Sequence, residues 1–369
     1  MQSPPGAETI IDGRRYLYFA GTGYLGLQGH PEVIRAACEA TRQYGVGSAT
    51  SRAGFGDTPP TLAVERQAAR MFGCEDSFYF ASGYVGNAIL VAALQDRFDA
   101  VFVDEFSHYS VFEAARGSGW PVFAFGHRDP ESLHEVLGRN LKPGGRPLVM
   151  SDGVFAALGR VAPVADYAAV LGEYAGATLL IDDAHAIGVL GANGRGTYEH
   201  AGLTAAQPGA AAPQLCFCGT LSKAIGGFGG IIPGTREWIG QVKRSSHFYD
   251  GASAPPTAAA AATARAIELV IDDPGMRRRL WENVTLLKTG LRRLGLDADD
   301  TPVPIICLAL NSGDAMRHVQ SQLAERGIMV AYMPSYSGLG PAGALRLAVF
   351  ATHTEAMIRQ LLDALAKLL

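Results

Sequence analysis

Lys223 lies in the segment CGTLSKAIGGFGG, where hydroxyl side chains and glycines surround it. Glycines let a backbone approach a ligand closely, and hydroxyls and amide donors suit a phosphate group. A lysine with a lowered pKa is a nucleophile toward aldehydes. A lone lysine is more often a solvated surface charge, and no GxxxxGK[ST] phosphate loop occurs in the chain. The segment therefore predicts a ligand site where other reactive residues meet Lys223.

A second group of reactive residues, Asp182, Asp183 and His185, ends the apolar run TLLIDDAH. A buried carboxylate is costly unless donors or a positive partner meet it, and a protonated ring nitrogen would be such a partner. Alternatively, one aspartate caps the next helix and His185 is a hydrogen-bonded core histidine. The segment alone leaves both interpretations open. Its place one strand–helix unit before Lys223 favours a shared site.

Two further segments bring polar residues to the end of an apolar run. In FYFASGYVGN, Ser82, Gly83 and Tyr84 open a predicted helix, whose free N–H groups and positive dipole suit a phosphate. In DEFSHYS, His108 follows another predicted strand, where an imidazole could stack on an aromatic ring. Strand-to-helix turns with Ser-Gly are common, and His108 could equally be a surface-loop histidine. The presence of the Lys223 and Asp182 segments favours the functional interpretation of both.

The elements that must position these residues alternate between strand and helix. Short apolar runs recur with helical segments between them: SFYFASG, AVFVDE, PVFAFG, PLVMSDG, TLLIDDAH and LCFCGTLSK. This rhythm predicts an α/β fold with a mostly parallel sheet covered on both faces. Ligands bind such sheets at the carboxyl ends of the strands, so the reactive residues are expected to meet there.

The pattern changes after Ser253. The segment APPTAAAAATARAIELVI predicts a long connecting helix with proline in its first turn. Beyond it, helices are predicted at 276–293, 312–326 and 354–369, alternating with strands at 303–309, 328–332 and 345–349. The Ala-rich stretch 205–213 is predicted to be a surface loop.

Composition excludes several classes of function. The chain has 369 residues, 48% of them hydrophobic and 18% charged, with a formal net charge of -4, which is typical of a globular enzyme. No tract of clustered lysines and arginines indicates nucleic-acid binding. No apolar run reaches membrane-spanning length and no signal peptide begins the chain, so we expect no membrane span and a cytoplasmic location.

The five cysteines are odd in number and scattered, which does not describe a disulfide framework. Cys216 and Cys218 share one face of a predicted strand, and no second Cys or His pair follows at metal-ligand spacing. We therefore interpret them as small buried side chains and expect no metal site.

Together these segments resemble the α-oxoamine synthases, a family that condenses an amino acid with an acyl thioester. The most specific feature is DDAH (182–185) followed by GTLSKAIGGFGG (219–230). Other matching segments are YLGLQGHPEVIRAA (24–37), YGVGSATSRAGFG (44–56), SGYVGN (82–87), SHYS (107–110), DGVF (152–155) and LRLAVFATH (345–353). The resemblance implies a fold-type I pyridoxal-phosphate transferase. Its expected parts are an N-terminal segment (1–28), a large cofactor-binding domain with a mostly parallel seven-stranded sheet (29–252) and a smaller α/β C-terminal domain with the connecting helix (253–369).

The family pattern implies roles for individual positions. Lys223 would hold pyridoxal 5′-phosphate as a Schiff base and remove the substrate's α-proton, and Asp182 would pair with the ring nitrogen. His185 would contact the phenolic oxygen, His108 would stack on the ring, and Arg346 would bind the amino-acid carboxylate as a bidentate fork. Further contacts to cofactor or substrate are expected from Ser82, Gly83, Tyr84, Asp152, Thr220, Ser222, Ser253 and Tyr24.

The resemblance also implies a homodimer with active sites at the subunit interface. A phosphate-binding threonine expected from the partner subunit appears here as Ala252, with Ser253 beside it as a substitute. Other family positions are changed as well: Thr61 stands where a histidine is usual, and Asp152 replaces a common glutamate. These changes bear on the substrate more than on the cofactor.

Three functions follow as hypotheses. The leading one is a decarboxylative condensation of an amino acid with an acyl-CoA or acyl carrier protein, giving an α-amino ketone. The second is another pyridoxal-phosphate reaction on the same scaffold, such as transamination or decarboxylation. The third is a non-catalytic subunit of a synthase, which the joint presence of Lys223, Asp182 and His185 disfavours.

Overall fold

The computed structural model describes residues 1–203 and 212–369. Its strands are β1 (Glu8–Ile11), β2 (Arg14–Phe19), β3 (Asp76–Phe80), β4 (Ala100–Asp104), β5 (Val122–Phe125), β6 (Pro147–Asp152), β7 (Thr178–Asp182), β8 (Gln214–Thr220), β9 (Gly230–Gly234), β10 (Ile305–Leu308), β11 (Ile328–Met333) and β12 (Ala344–Ala348).

Its α-helices are α1 (Pro31–Tyr44), α2 (Pro59–Phe72), α3 (Gly86–Ala93), α4 (Tyr109–Gly117), α5 (Pro130–Asn140), α6 (Val164–Leu171), α7 (Thr197–His200), α8 (Arg236–Arg244), α9 (His247–Asp250), α10 (Thr257–Asp272), α11 (Gly275–Arg293), α12 (Gly313–Glu325) and α13 (Glu355–Ala366). Short 3₁₀ turns cover Leu27–Gly29 and Gly83–Val85, and a π-type turn covers Arg52–Gly56.

The larger sheet has seven strands in the order β3-β9-β8-β7-β6-β4-β5. All neighbouring pairs are parallel except those of β9, which runs antiparallel to both β3 and β8. Strands β4, β6 and β7 are buried along their whole length, as expected for a parallel sheet with helices on both faces. The predicted mostly parallel sheet is confirmed, and its six predicted strands are β3 to β8.

The smaller sheet joins both ends of the chain, in the order β1-β2-β11-β12-β10. Strand β2 pairs parallel with β11, whereas the other pairs are antiparallel. The C-terminal strands and helices lie where the sequence indicated, as β10 to β12 and α11 to α13. The sequence pattern did not predict that β1 and β2 would complete this sheet. The domain boundaries stay a prediction.

The connecting helix α10 is present, but proline is not in its first turn as the sequence indicated. Pro256 is extended and occupies the N-cap position, and the helix starts at Thr257. Helix α10 packs against α1 and α2, and α2 packs in turn on β3 and β9 of the larger sheet. The surface loop predicted at 205–213 lies, except for its last two residues, outside the described residues. In the described ranges, no helix is both long and apolar enough to cross a bilayer.

Candidate active site

A cavity of about 290 Å³ opens at the carboxyl ends of β6, β7 and β8. Ten of the thirteen predicted site residues line it: Ser82, Gly83, Tyr84, His108, Asp152, Asp182, His185, Thr220, Ser222 and Lys223. The other lining residues are Ala81, Ser110, Val154, Ala156, Ala184, Phe228 and Gly229. Parallel strand ends converge at one edge of a sheet, which is why residues so far apart in sequence meet here.

Asp182 is the last residue of β7 and is buried in the cavity wall. Asn87 Nδ2 donates to its Oδ2 at 2.7 Å, and the Ala184 backbone N–H donates to its Oδ1 at 3.0 Å. These donors orient the carboxylate while it lines the cavity. Sequence reasoning assigned no role to Asn87. The available signal was an amide within the apolar segment GNAILVAA, since a buried amide needs a hydrogen-bond partner.

Asp183 has a structural role, which separates the two aspartates that the segment alone did not distinguish. Its carboxylate accepts hydrogen bonds from the backbone N–H and the hydroxyl of Thr197, at 2.9 and 2.5 Å. Thr197 is the first residue of α7, so Asp183 caps that helix. Burial raises the pKa of Asp183 to about 7. Asp182 is therefore the carboxylate that serves the cavity.

Asp152 ends β6 and stands in register beside Asp182. Both of its carboxylate oxygens accept the backbone N–H of His108 at 3.2 Å. Burial and the neighbouring Asp182 raise the pKa of Asp152 well above its ordinary value. Two adjacent strand ends thus place two carboxyl groups side by side, and Asp152 is favoured to hold a proton.

Lys223 and His185 form the centre of the site. Lys223 Nζ lies 2.9 Å from His185 Nε2. Burial lowers the pKa of Lys223 to about 8, against the opposing effect of Asp182 and Asp152. Burial and the cations of Lys223 and Arg346 lower the pKa of His185 well below its ordinary value. His185 is therefore neutral at pH 7, and part of Lys223 is present as the free amine.

A hydrogen-bond chain continues from His185 away from the cavity. Tyr24 Oη lies 2.8 Å from His185 Nδ1, and Arg346 Nη2 donates to the same Tyr24 oxygen at 3.3 Å. Burial raises the pKa of Tyr24, so the phenol keeps its proton and can donate to Nδ1. With that bond, the other ring nitrogen, Nε2, carries the imidazole proton and donates it to Lys223 Nζ when the lysine is the free amine.

Tyr24 and Arg346, both predicted to touch substrate, are not among the residues that line the cavity. Tyr24 is fully buried behind His185. Arg346 also donates from Nε to the Ala156 carbonyl and from Nη1 to the Gly21 carbonyl, each at 3.0 Å. Three of the five guanidinium N–H groups therefore bond to the protein itself.

His108 lies at the start of α4 and faces the cavity. Its Nδ1 lies 2.8 Å from the Ser110 hydroxyl and accepts the Ser110 backbone N–H at 3.2 Å. Burial lowers the pKa of His108, so the ring is uncharged at neutral pH. The Tyr84 and Tyr336 rings flank it, with centroids 5.8 and 6.2 Å away. Tyr336 was not predicted, because its loop gives no periodic signal.

Glycine allows the predicted phosphate-binding turn to approach the end of β8. A Cβ at Gly83 would lie only 2.6 Å from Thr220 Cβ. The Thr220 hydroxyl donates to the Gly229 carbonyl at 2.9 Å and lies 2.8 Å from the Ser222 hydroxyl. Helix α3 begins directly after the turn, so hydroxyls and a positive helix end meet in one cradle.

Ser253 is the third predicted residue outside this cavity. It is exposed and forms an isolated β-bridge with Ser51. Cys216 and Cys218 are both buried in β8, as interpreted from the sequence.

The arrangement combines a lysine nucleophile, an oriented carboxylate, a neutral histidine and an anion-binding cradle in one cavity. Such a set can hold a phosphorylated cationic ring, form a covalent bond to an aldehyde and move a proton at Lys223 Nζ.

Comparison with known proteins gives a family and close relatives. Residues 17–365 match the family model described as aminotransferase class I and II. The chain is 35% identical to 8-amino-7-oxononanoate synthase from Nitrosococcus oceani, over 100% of this chain and 96% of the relative. It is 34% identical to 8-amino-7-oxononanoate synthase from Cellvibrio japonicus, over 100% and 90%.

The fold is similar to a solved serine palmitoyltransferase from S. paucimobilis that has a bound PLP–myriocin aldimine. The TM-score is 0.91 at 26% sequence identity, and the match covers 100% of this chain and 91% of that chain. The expected fold-type I transferase architecture is confirmed.

Proposed function

The chain belongs to the aminotransferase class I and II family, and on that premise we propose that it is an α-oxoamine synthase. It is a pyridoxal-phosphate enzyme that joins the α-carbon of an amino acid to the acyl carbon of a thioester. The thiol leaves, the amino-acid carboxylate leaves as CO₂, and the product is an α-amino ketone. The names of the two relatives at 35% and 34% identity support this reaction class.

The observation that carries the proposal is Lys223 Nζ, 2.9 Å from His185 Nε2 in a cavity that Asp182 also lines. The residues present fit the cofactor. Gly83 leaves no room for a Cβ against Thr220, so the turn and the two hydroxyls form a compact phosphate cradle. Asp182 is a carboxylate suited to a protonated ring nitrogen, and the His108 ring offers a stacking surface.

When bound, pyridoxal phosphate supplies an electron sink for the electron pair left at the substrate's α-carbon. Asp182 would hold the proton on the ring nitrogen, because the amides of Asn87 and Ala184 keep its carboxylate turned toward the cavity. His185 would donate from Nε2 to the phenolic oxygen, and His108 would stack on the ring.

The proton chemistry centres on Lys223. With a pKa of about 8, its amine accepts a proton far more readily at pH 8 than at pH 6. The phenol of Tyr24 fixes the His185 tautomer through the 2.8 Å contact to Nδ1. Lys223 Nζ would therefore take the α-proton while His185 stays neutral.

Arg346 remains the proposed partner of the amino-acid carboxylate. Three of its N–H groups hold Ala156, Gly21 and Tyr24 in place, which fixes the guanidinium plane. The remaining N–H groups are available to a carboxylate. A guanidinium fixed in this way loses little conformational freedom on binding.

The proposal extends to a homodimer whose sites lie near the subunit interface. Val46 and Phe55 are 77% and 99% exposed in this single chain, and a partner subunit that covered them would remove their apolar surface from water. Ser253, outside its own chain's cavity, would then reach the partner's phosphate cradle. The five free cysteines fit a reducing location such as the cytoplasm.

The test mixes purified protein, pyridoxal phosphate, an amino acid labelled at the carboxylate, and an acyl-CoA or acyl carrier protein. We expect free thiol and labelled CO₂ in equal amounts, and Lys223→Ala should abolish both. CO₂ without thiol would identify a decarboxylase, and a keto acid without either would identify an aminotransferase. No cofactor binding at all would leave a non-catalytic subunit.

A further inference from the structure

The segment Gly23–Gln28 packs directly on the turn that follows Lys223. Gln28 Nε2 donates to the Lys223 backbone carbonyl at 3.0 Å. The same carbonyl accepts the Gly226 backbone N–H, also at 3.0 Å. Two donors therefore hold the peptide that carries the reactive lysine, one of them from a segment distant in sequence.

Gly226 shows how closely the two segments approach. It has a φ of 73°, and a Cβ there would lie 2.8 Å from Leu27 Cβ and 2.9 Å from the Gln28 backbone nitrogen. Only glycine fits both that conformation and that contact. The position of Gln28 against Lys223 is thus fixed by the backbone on both sides.

Gly23 leaves the space that the Gln28 side chain fills. A Cβ at Gly23 would lie 2.6 Å from Gln28 Nε2 and 2.7 Å from Gln28 Oε1. Gly23 is not among the glycines with positive φ, so its conformation is open to any residue. What excludes a larger residue at this position is therefore the amide of Gln28, at the flexible end of its side chain.

The orientation of that amide depends on Lys223. Gln28 Oε1 is buried and has no hydrogen-bond partner within the described residues, and a buried acceptor without a donor is costly. Turning the amide over would place Oε1 against the Lys223 carbonyl oxygen and lose the bond at Nε2. The bond to Lys223 is thus the interaction that holds the side chain in this orientation.

We propose that Gln28 is a positioning residue for Lys223, and that glycine is needed at position 23 because it leaves room for the Gln28 amide. Gln28 does not reach the reacting atoms. It acts through the Lys223 carbonyl, which fixes where the lysine side chain leaves the backbone. This inference rests on the proposed capture of pyridoxal phosphate by Lys223.

Loss of the Gln28 hydrogen bond would change the surroundings of the Lys223 amine. The charged and titratable groups around Lys223 are His185, His108, Asp182, Asp152 and Arg346. Burial among them keeps the pKa of Lys223 at about 8. Without the Gln28 hydrogen bond, the Lys223 amine would move away from His185 Nε2 and become more exposed to water. Its pKa would rise toward the ordinary value, because desolvation is the main cause of the shift.

The experiment follows capture of pyridoxal phosphate by apoenzyme, before any substrate is added. The signal is the visible absorbance that borohydride removes, recorded as a rate from pH 6 to 10. The variants are Gly23→Ala, Gln28→Ala and the double variant, with Gln28→Glu as a second replacement that keeps the side-chain length. Thermal unfolding of each variant shows that it is folded.

Two matched controls make the same changes elsewhere. Gln320 Nε2 donates to the Val330 carbonyl at 3.0 Å in the smaller sheet, so Gln320→Ala removes an equivalent bond. Gly240→Ala in α8 adds a Cβ against the flexible end of Arg244, 3.2 Å from its Nη1. Both controls should capture the cofactor as the wild type does.

We expect Gly23→Ala and Gln28→Ala each to slow capture by about three- to tenfold, the effect of one hydrogen bond, and to raise its pH midpoint. The double variant should be no slower than Gln28→Ala, since both changes remove the same bond. The inference would be overturned if Gln28→Ala and Gln28→Glu captured the cofactor at the wild-type rate and with the wild-type pH midpoint. It would also be overturned if the effects of Gly23→Ala and Gln28→Ala multiplied in the double variant. Absence of capture by the wild type would instead overturn the proposed function.

Discussion

The floor and the rim of the cavity are built differently. The floor consists of Asp152, Asp182, His185 and Lys223, which lie at or just beyond strand ends and have hydrogen-bond partners in the protein.

The rim consists of Tyr84 and Phe228, which line the cavity, and of Tyr109 and Tyr336, whose rings lie next to His108. These four residues lie on helix starts and loops. Tyr84, Tyr109 and Phe228 are 46%, 53% and 42% exposed. The difference teaches where each property resides: the strand ends of the sheet fix the reactive groups, whereas the loops leave the opening of the cavity free to change.

The largest expected effect is on the floor. Asp182→Asn should lower the turnover of the proposed reaction by about 10²-fold or more, the scale of a positioned acid–base group, because a neutral amide cannot hold the ring-nitrogen proton. Steady-state kinetics with saturating cofactor measures this loss.

Asp183→Asn, one residue along the chain, is the matched control for Asp182→Asn. It should lower the unfolding temperature, since Asp183 caps α7 through Thr197, while turnover changes far less. Equal losses of turnover in the two variants would contradict the separate roles of the two aspartates.

The rate at which Lys223 captures the cofactor should also depend steeply on pH. The free amine is the nucleophile, and the pKa of Lys223 is lowered to about 8. Capture of pyridoxal phosphate should therefore be about 10²-fold slower at pH 6 than on the plateau above pH 8, since each unit below the pKa costs tenfold. A rate that keeps rising to pH 10 would mean that Lys223 is an ordinary solvated lysine.

Arg346 lies behind the floor and should affect binding more than turnover. Arg346→Lys should raise the KM for the amino acid by about 10- to 100-fold, the range for a hydrogen bond to a charged group, because an ammonium cannot form a bidentate fork. Arg317→Lys, an exposed arginine on α12 that bonds Asp314, is the control. A fall in turnover at unchanged KM would argue that Arg346 only supports Tyr24.

Tyr24 tests the hydrogen-bond chain that leads away from the floor. Tyr24→Phe should lower turnover by about tenfold, because His185 loses the donor that fixes its tautomer, and should shift the pH midpoint of cofactor capture. Tyr198→Phe is a matched loss, since that buried hydroxyl donates to the Leu179 carbonyl at 2.8 Å. Tyr198→Phe should lower stability and leave the pH midpoint of cofactor capture unchanged. A shift of that midpoint in Tyr198→Phe would contradict a specific role for Tyr24.

The smallest effect is expected at the rim. Tyr84 Oη donates to Glu113 at 2.7 Å on the surface, and Tyr84→Phe should change turnover by less than about threefold, as exposed polar contacts contribute little. Tyr84→Ala removes the ring that flanks His108 and should change the preference among acyl donors. An effect of Tyr84→Phe as large as that of Tyr24→Phe would erase the contrast between floor and rim.

Much of the floor could be predicted because its signals are local. Asp182 and Lys223 each follow a short apolar run, and a parallel sheet brings such strand ends together. The predicted strands β3 to β8 rested on the same runs. Strand β9 is not predicted, because its apolar residues are few and follow the glycines of the Lys223 segment, which by themselves indicate a ligand-binding turn.

The contacts that support the floor could not be predicted, because they join residues that are far apart in the sequence and that no local pattern links. Asn87 faces Asp182 only once α3 packs on β7, and Tyr24 meets His185 only once the segment after β2 docks beyond the end of β7. Gln28 sits in a surface-like sequence context and gave no signal at all. The sequence thus indicated which groups react, and the structure adds what holds them.

The pairing of β2 with β11 has a consequence for folding of the chain. Leu17 pairs with Ile328 and Phe19 with Val330, so the two strands are far apart in the sequence. Tyr24 and Gln28 follow β2 directly, so their docking on His185 and Lys223 depends on a slow long-range strand pairing. A refolding chain that has not yet paired β2 with β11 would carry Lys223 but lack its supports, so cofactor capture should mark molecules in which that pair has formed.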